Sequence, residues 1–295
     1  MKLTLDDLKK ISFNDQSQEW VDDRKTYIGG TDISTILGYN PYKTERQLFM
    51  EKKGQYSTQI NEAMVHGLNL EPYIAKIYKN VTGHRLYKGK LTRMKDKPFL
   101  AANPDYKIPK IKKLVEIKTA GFWAAKEFED DKDDGVPMHY LIQCQWQMAV
   151  CGYTSCDLVL LLAGQEIKIY TIEFSKAIAD HAISEAVNWW EKYILTDYPP
   201  PISDRDRDLL QETYPEGEPF SRVVAPPFID DDVKTLINLK ETKKEVERQI
   251  LLCENRIKDF MQGNESMETS AGIIFWKNDK NGTRRFTIKG DKNGD

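Results

Sequence analysis

Two extended segments, 98–108 and 113–119, are joined by the tight connection PKIKK and can close as a hairpin, which commits the middle of the chain to a sheet. Side chains along a strand alternate between faces. In KLVEIKT, residues 113–119, Val115 and Ile117 therefore face one way, while Leu114, Glu116 and Lys118 face the other. A carboxylate and an ammonium group thus stand side by side on an otherwise apolar strand. The triplet alone is weak evidence, because the chain is 30% charged and QEIKIY repeats it at Glu166 and Lys168.

The flanking patterns extend this core. Before it lie two short helices, the first capped by Thr31 or Asp32 and ending at Gly38, the second capped by Thr44, and then a longer helix from about Ile60 to Tyr78. After it, MHYLIQCQWQMAVCG reads as a helix closed by Gly152, with Tyr140, Gln143 and Gln147 on one face. CDLVLLLAG and EIKIYTIEF form a second hairpin, and a helix runs from Ser175 to about Ile194. This order predicts an α+β or mixed α/β core, residues 1–205. YPPP and the polar stretch after it predict a linker over 206–231. Residues 232–295 then carry a heptad stripe, Leu236 to Phe260 with Lys243 at one apolar position, and a terminal hairpin turning at Asn281-Gly282.

Composition excludes several classes. Forty per cent hydrophobic residues, with 6 Trp, 14 Tyr and 11 Phe, indicate a globular chain. No apolar run approaches the roughly 20 residues needed to span a bilayer, and MKLTLDDLKKIS has no signal-peptide core, so a soluble, cytoplasmic protein is expected. Cys144, Cys151, Cys156 and Cys253 show no C-x-x-C spacing, and the four histidines form no H-E-x-x-H set. The net charge of −3 does not announce a nucleic-acid binder, although a local basic lining would suffice for one.

What distinguishes the first Glu-Ile-Lys is Asp105, eleven residues upstream in AANPDYKI. An Asp at the bend of one strand and a Glu on the next can meet as two oxygen ligands for a hard divalent cation. Lys118 beside them could orient or deprotonate a water, or neutralise developing negative charge. The second copy has Asp157 upstream, and a plain hairpin separates the two acids, which reads as a charged flank.

Pro-Asp, ten residues, then Glu-x-Lys is similar to the PD-(D/E)xK nuclease motif. IGGTDISTILGYNPYKT, GLNLEPYIAKIYKNVTG, ANPDY, LVEIKT and YLIQCQWQMAVCG, in this order, resemble the YqaJ-type viral recombinase and lambda exonuclease branch over about residues 20–200. The resemblance implies a restriction-endonuclease-like fold, a central mixed sheet flanked by helices. It assigns Asp105 and Glu116 as metal-binding acids, the carbonyl of Ile117 as a further ligand, Lys118 as the catalytic lysine, Glu71 as a helix-borne acid for a second metal, and Gln143 as a glutamine at the active site. Read without it, Glu71 is an exposed helical Glu beside Pro72. Arg24 and, seven residues on, Thr31 have the spacing of the family's 5′-phosphate pocket, with Thr replacing the more usual Ser. Gly30, entering a helix N-terminus, adds backbone N–H groups.

The implied activity is Mg²⁺-dependent, with Mn²⁺ as a substitute and two ions in the site. The enzyme would resect linear duplex DNA ends 5′→3′ and leave 3′ overhangs for phage-type recombination. A ring-shaped trimer and a single-strand annealing recombinase as partner are implied too, within a bacterial host cytoplasm. The alternatives are an endonuclease or repair nuclease of the same superfamily, or an inactive DNA-end-binding scaffold whose heptad helix is the working part.

Overall fold

Residues 18–58, 61–122, 128 and 135–289 are described by the computed structural model, and the chain forms two compact units, Met1–Pro215 and Glu216–Asp295. In the first, helices α1 (Gln18–Arg24), α2 (Gly30–Ile36), α3 (Glu45–Lys52) and α4 (Glu62–Thr82) precede strands β1 (Tyr87–Lys88), β2 (Thr92–Arg93), β3 (Ala101–Ala102), β4 (Tyr106–Ile108) and β5 (Lys113–Ala120). Helix α5 (Met138–Cys151), strands β6 (Ser155–Leu162) and β7 (Glu166–Glu173), and helices α6 (Lys176–Trp189) and α7 (Arg207–Thr213) follow.

The expected hairpin is present. β4 pairs antiparallel with β5 across a 3₁₀ turn at Pro109–Ile111. β5 then pairs parallel with β6 through the α5 crossover, and β6 antiparallel with β7, so the five-stranded sheet is mixed, in the order β1-β4-β5-β6-β7. The strand alternation holds on both faces of β5. Leu114 packs with Leu158, Leu160, Cys144 and Met148 beneath α5, while Val115 and Ile117 pack with Val159, Leu161, Ile74 and Tyr78 beneath α4. Each such fully buried aliphatic side chain contributes roughly 1.5–3 kcal/mol. A third cluster, with Trp146 and Trp189, seats α2 and α3 on α5 and α6.

The helix starts follow local chemistry. The Thr44 hydroxyl accepts from the Gln47 N–H at 3.1 Å and caps α3. α2 begins after Gly29 instead, whose N–H donates to the Asp32 carboxylate at 2.9 Å. Further features depart from the sequence reading. The stretch expected to be linker from 206 is first helical: Asp206 is fully buried and accepts from the Thr44 hydroxyl at 2.5 Å, and Leu209 is buried behind it. Asp157 is no charged flank either, because it lies 4% exposed and accepts from the Tyr78 hydroxyl, the Thr171 hydroxyl and Lys113. A buried carboxylate with three donors is a structural hub of the sheet.

The second unit is the long helix α8 (Pro227–Met261) followed by strands β8 (Ser266–Thr269), β9 (Gly272–Asn278) and β10 (Arg284–Lys289), in the order β10-β9-β8. The terminal hairpin is as read, with Gly282 at φ 80° in its turn; β8 was not foreseen. Leu236, Leu239, Val246, Ile250 and Phe260 of the heptad stripe are exposed. No described helix is long and apolar enough to cross a membrane.

Candidate active site

Asp105 sits where β4 turns out of the sheet, and its position is set by β5. The last residue pair of that ladder is Tyr106 with Val115, so the backbone of Ile117 has no strand partner on the β4 side. The Ile117 N–H donates instead to the Asp105 carboxylate at 2.8 Å. N–H and C=O of one strand residue point to the same side, so the Ile117 carbonyl faces Asp105 as well. The bend is also tight from outside. The Gly89 N–H donates to the Asp105 carbonyl at 2.9 Å, and a Cβ on Gly89 would lie 1.6 Å from the Pro104 carbonyl oxygen.

This gives a first expected outcome. Gly89→Ala forces the Pro104-Asp105 backbone to move and lowers stability by about 2 kcal/mol or more. Gly121→Ala, where a Cβ meets open space, leaves stability unchanged. Chemical denaturation of the two variants makes the comparison, and equal midpoints would mean that the bend is looser than drawn.

Glu116 is 2% exposed, and both its oxygens are held. Oε1 accepts from Lys118 Nζ at 2.6 Å and from the Gln143 amide at 2.5 Å; Oε2 accepts from the Gln147 amide at 2.9 Å. Gln143 and Gln147 are one turn apart on α5, which is how one helix face grips both oxygens of a carboxylate. Gln147 was visible in the sequence on that face, and its grip on Glu116 was not. Burial, then the charges of Glu116 and Glu71, pushes the Asp105 carboxyl well above the usual carboxylate range. Burial opposes the charge on Lys118, but Glu116 and Asp105 outweigh it and raise its pKa. Lys118 is held as an ammonium ion beside these two carboxylates, which suits it to neutralising negative charge.

Glu71 is buried, not the exposed residue that its sequence context suggests. It is drawn to Lys88 of β1 and hydrogen-bonded with Tyr106. Among the described residues, no three His, Cys, Asp or Glu side chains gather at metal-binding range. The carboxylates come as a mutually repelling pair, Asp105 and Glu116, and that pair with the Ile117 carbonyl is a donor set that fits one hard cation.

The N-terminal residues also converge. Arg24, at the end of α1, donates to the Thr31 hydroxyl at 3.5 Å. Gly30 packs so closely on α5 that a Cβ would lie 2.9 Å from Gln143 Cγ, which ties this segment to the Glu116 grip. α2 is only seven residues long, so its dipole adds little and the charge is Arg24's. Sequence reasoning missed what holds the segment in place. Lys52 Nζ, its side chain 4% exposed, donates to Asp32 at 2.6 Å and to the Arg24 carbonyl at 2.9 Å. Burial would raise the Asp32 carboxyl, but Lys52, with Arg24 and Lys43, holds it down at about 2. Arg93 pairs with Asp23 at 2.6 Å and lies over the Tyr27 ring.

The second Glu-Ile-Lys looks different. Glu166 is 63% exposed and 3.9 Å from Lys168.

Residues 19–154 match the YqaJ-like viral recombinase domain. The uncharacterized protein YqaJ of Bacillus subtilis is 28% identical over 254 residues, spanning 84% of this chain and 79% of its own length. An uncharacterized protein of Acanthamoeba polyphaga mimivirus is 27% identical over 168 residues, 52% of this chain and 30% of that protein. Among solved structures, the alkaline exonuclease LHK-Exo of Laribacter hongkongensis superposes with a TM-score of 0.50 at 20% identity, covering 61% of this chain and 94% of that one. Its complex with dAMP superposes with the same score and identity over 66% and 100%. That likeness shows the fold, and residues 19–154, a little under half of this chain, are similar to the YqaJ-like viral recombinase domain.

Proposed function

We propose that the chain is a metal-dependent deoxyribonuclease, an exonuclease that digests linear duplex DNA 5′→3′ and leaves 3′ single-stranded overhangs. The observation that carries this reading is the convergence of half-buried Asp105 and Lys118 on the buried Glu116 where β4 meets the central strand β5. Two carboxylates that repel each other beside a fixed ammonium group are poorly arranged for stability, and well arranged for a cation and a phosphate. An alkaline exonuclease and its complex with dAMP, a product of stepwise DNA hydrolysis, are among the structures the chain resembles.

Asp105, Glu116 and the Ile117 carbonyl would hold Mg²⁺ or Mn²⁺, and Glu71 would reach a second ion only by leaving Lys88. When bound, such a cation supplies Lewis acidity and positive charge at the scissile phosphate. Gln143 and Gln147 hold the Glu116 carboxylate still, so no reorganisation is needed as the reaction proceeds. The Lys118 ammonium lies where negative charge develops on the phosphoryl oxygens. Arg24 and Thr31 would take the terminal 5′ phosphate, which is more highly charged than an internal diester and suits the two parallel hydrogen bonds of a guanidinium. The overhang would pass to a single-strand annealing recombinase.

Linear duplex and covalently closed circular DNA, each with Mg²⁺ or with EDTA, separate the alternatives. Degradation of the linear form alone, and only with Mg²⁺, is expected. Attack on both forms would make the protein an endonuclease, and attack on neither would leave a scaffold. Arg24→Ala tests direction. It should slow digestion of 5′-phosphorylated ends roughly ten- to a hundredfold, toward the rate on 5′-hydroxyl ends. An undiminished preference for the phosphorylated end in that variant would remove the pocket from the mechanism.

A further inference from the structure

The sheet of the second unit has two unlike faces. Toward α8, Ile274 is buried, the Arg284 guanidinium lies 3.5 Å over Trp276 and donates to the carbonyls of Gln262 and Asn264, and Lys258 lies over the Phe286 ring. That side is spent on the unit's own packing. Alternation puts Phe275 and Lys277 of β9 on the other side, and the register places Thr287 of β10 opposite Phe275, and Arg285 opposite Lys277. Lys289, opposite Ile273, completes the row. Lys277, Arg285, Thr287 and Lys289 are exposed, and Phe275 is partly so.

The chemistry of this face is specific. The ammonium groups of Lys277 and Lys289 stand 4.7 and 5.7 Å from the centre of the Phe275 ring, one on each flank. Arg285 is already held by Asp279 at 2.9 Å. Among the described residues, neither ammonium has a carboxylate partner. The ring and its flanking groups border a shallow depression of about 380 Å³.

We propose that this face of β9 and β10 binds single-stranded DNA, with a base stacked on Phe275 and phosphates on either side met by Lys277 and Lys289. An aromatic ring on an open sheet face needs a base whose flat surface is free, which a duplex hides and a single strand offers. An acidic protein would meet the two charges and leave the ring unused. The site belongs to the second unit alone, and it does not depend on the chain being a nuclease.

Fluorescence anisotropy of labelled oligothymidine on the full-length protein, with EDTA present so that nothing is cut, makes the test. In K277E/K289E, with both changes at exposed positions, oligothymidine affinity should fall about tenfold or more. The slope of log affinity against log salt should flatten by about 1.4, since each phosphate contact on a single strand contributes about 0.7. Phe275→Leu keeps an apolar side chain and should weaken binding roughly tenfold without changing that slope, because stacking is lost and charge is not. Duplex affinity should change less than about twofold in both variants. Absence of oligothymidine binding by the wild type, an unchanged affinity and slope in K277E/K289E, an equal loss on duplex, or full competition by poly-glutamate would each overturn the proposal. Because cleavage is blocked throughout, a failed strand site and a failed nuclease give different results.

Discussion

Glu116→Gln and Lys118→Met are each expected to reduce DNA cleavage roughly a hundred- to a thousandfold, while Glu166→Gln and Lys168→Met leave most of the activity. The two pairs share a sequence triplet and differ in surroundings. Glu116 is enclosed, gripped by two glutamines and faced by Asp105; Glu166 is 63% exposed, in a loose 3.9 Å pair with Lys168. On the proposed function, removing the Glu116 charge would take away a cation ligand and removing the Lys118 charge would take away a group beside the developing negative charge, a class of loss commonly worth about two to three orders of magnitude in rate. Lys118 is partly exposed, so its loss should leave the fold standing. Initial rates on linear duplex, beside thermal melts of all four variants, make the comparison. Loss of activity in the second pair with retention in the first would move the active site.

The largest stability effect is expected at Lys52. Lys52→Met leaves the Asp32 carboxylate buried without its partner and should cost about 3–5 kcal/mol. The double change D32N/K52M, which removes both charges, should recover most of that loss, since a buried ion pair is often no more stabilising than neutral groups of the same shape. The pair also sets an acid limit. Burial works against the charge on Asp32, but Lys52 wins and holds the carboxyl at about 2, below its ordinary 3.8. A depressed carboxyl stabilises the fold fully above its unfolded value and loses that contribution as pH falls through the folded value. About 2 kcal/mol of stability should therefore disappear between about pH 4 and pH 2 in the wild type, and not in D32N/K52M. Denaturant midpoints across that range test both statements, and a Lys52→Met protein within 1 kcal/mol of wild type would contradict the first.

What could be read in advance was whatever depends on near neighbours. The alternation of Leu114 and Glu116 against Val115 and Ile117, the Thr44 cap, the Gly152 stop and the shared face of Gln143 and Gln147 are all fixed within a few residues, by strand and helix geometry. What could not be read depends on closure of the chain. Lys52 meets Asp32 from another helix, Lys88 meets Glu71 from a strand, and Tyr78 meets Asp157 across the sheet. Nothing in the spacing of these residues announces a partner. Asp206 shows the same limit, since a polar stretch after YPPP looks like linker until the hydroxyl of Thr44 is found beneath it.

The parallel pairing of β5 with β6 has a kinetic meaning. The β4–β5 and β6–β7 ladders are hairpins and can zip from their turns, whereas β5 and β6 can align only after the chain between them has crossed the sheet and α5 has docked. Glu116 receives its two glutamines from that same helix, so its carboxylate is seated at the step that closes the sheet. On dilution from denaturant, recovery of DNA cleavage should accordingly lag behind the return of helical circular dichroism. Simultaneous recovery would show that the crossover is already in place when the first helices form. A chain stalled before that step would hold its acids on an open strand edge, with nothing yet to aim them.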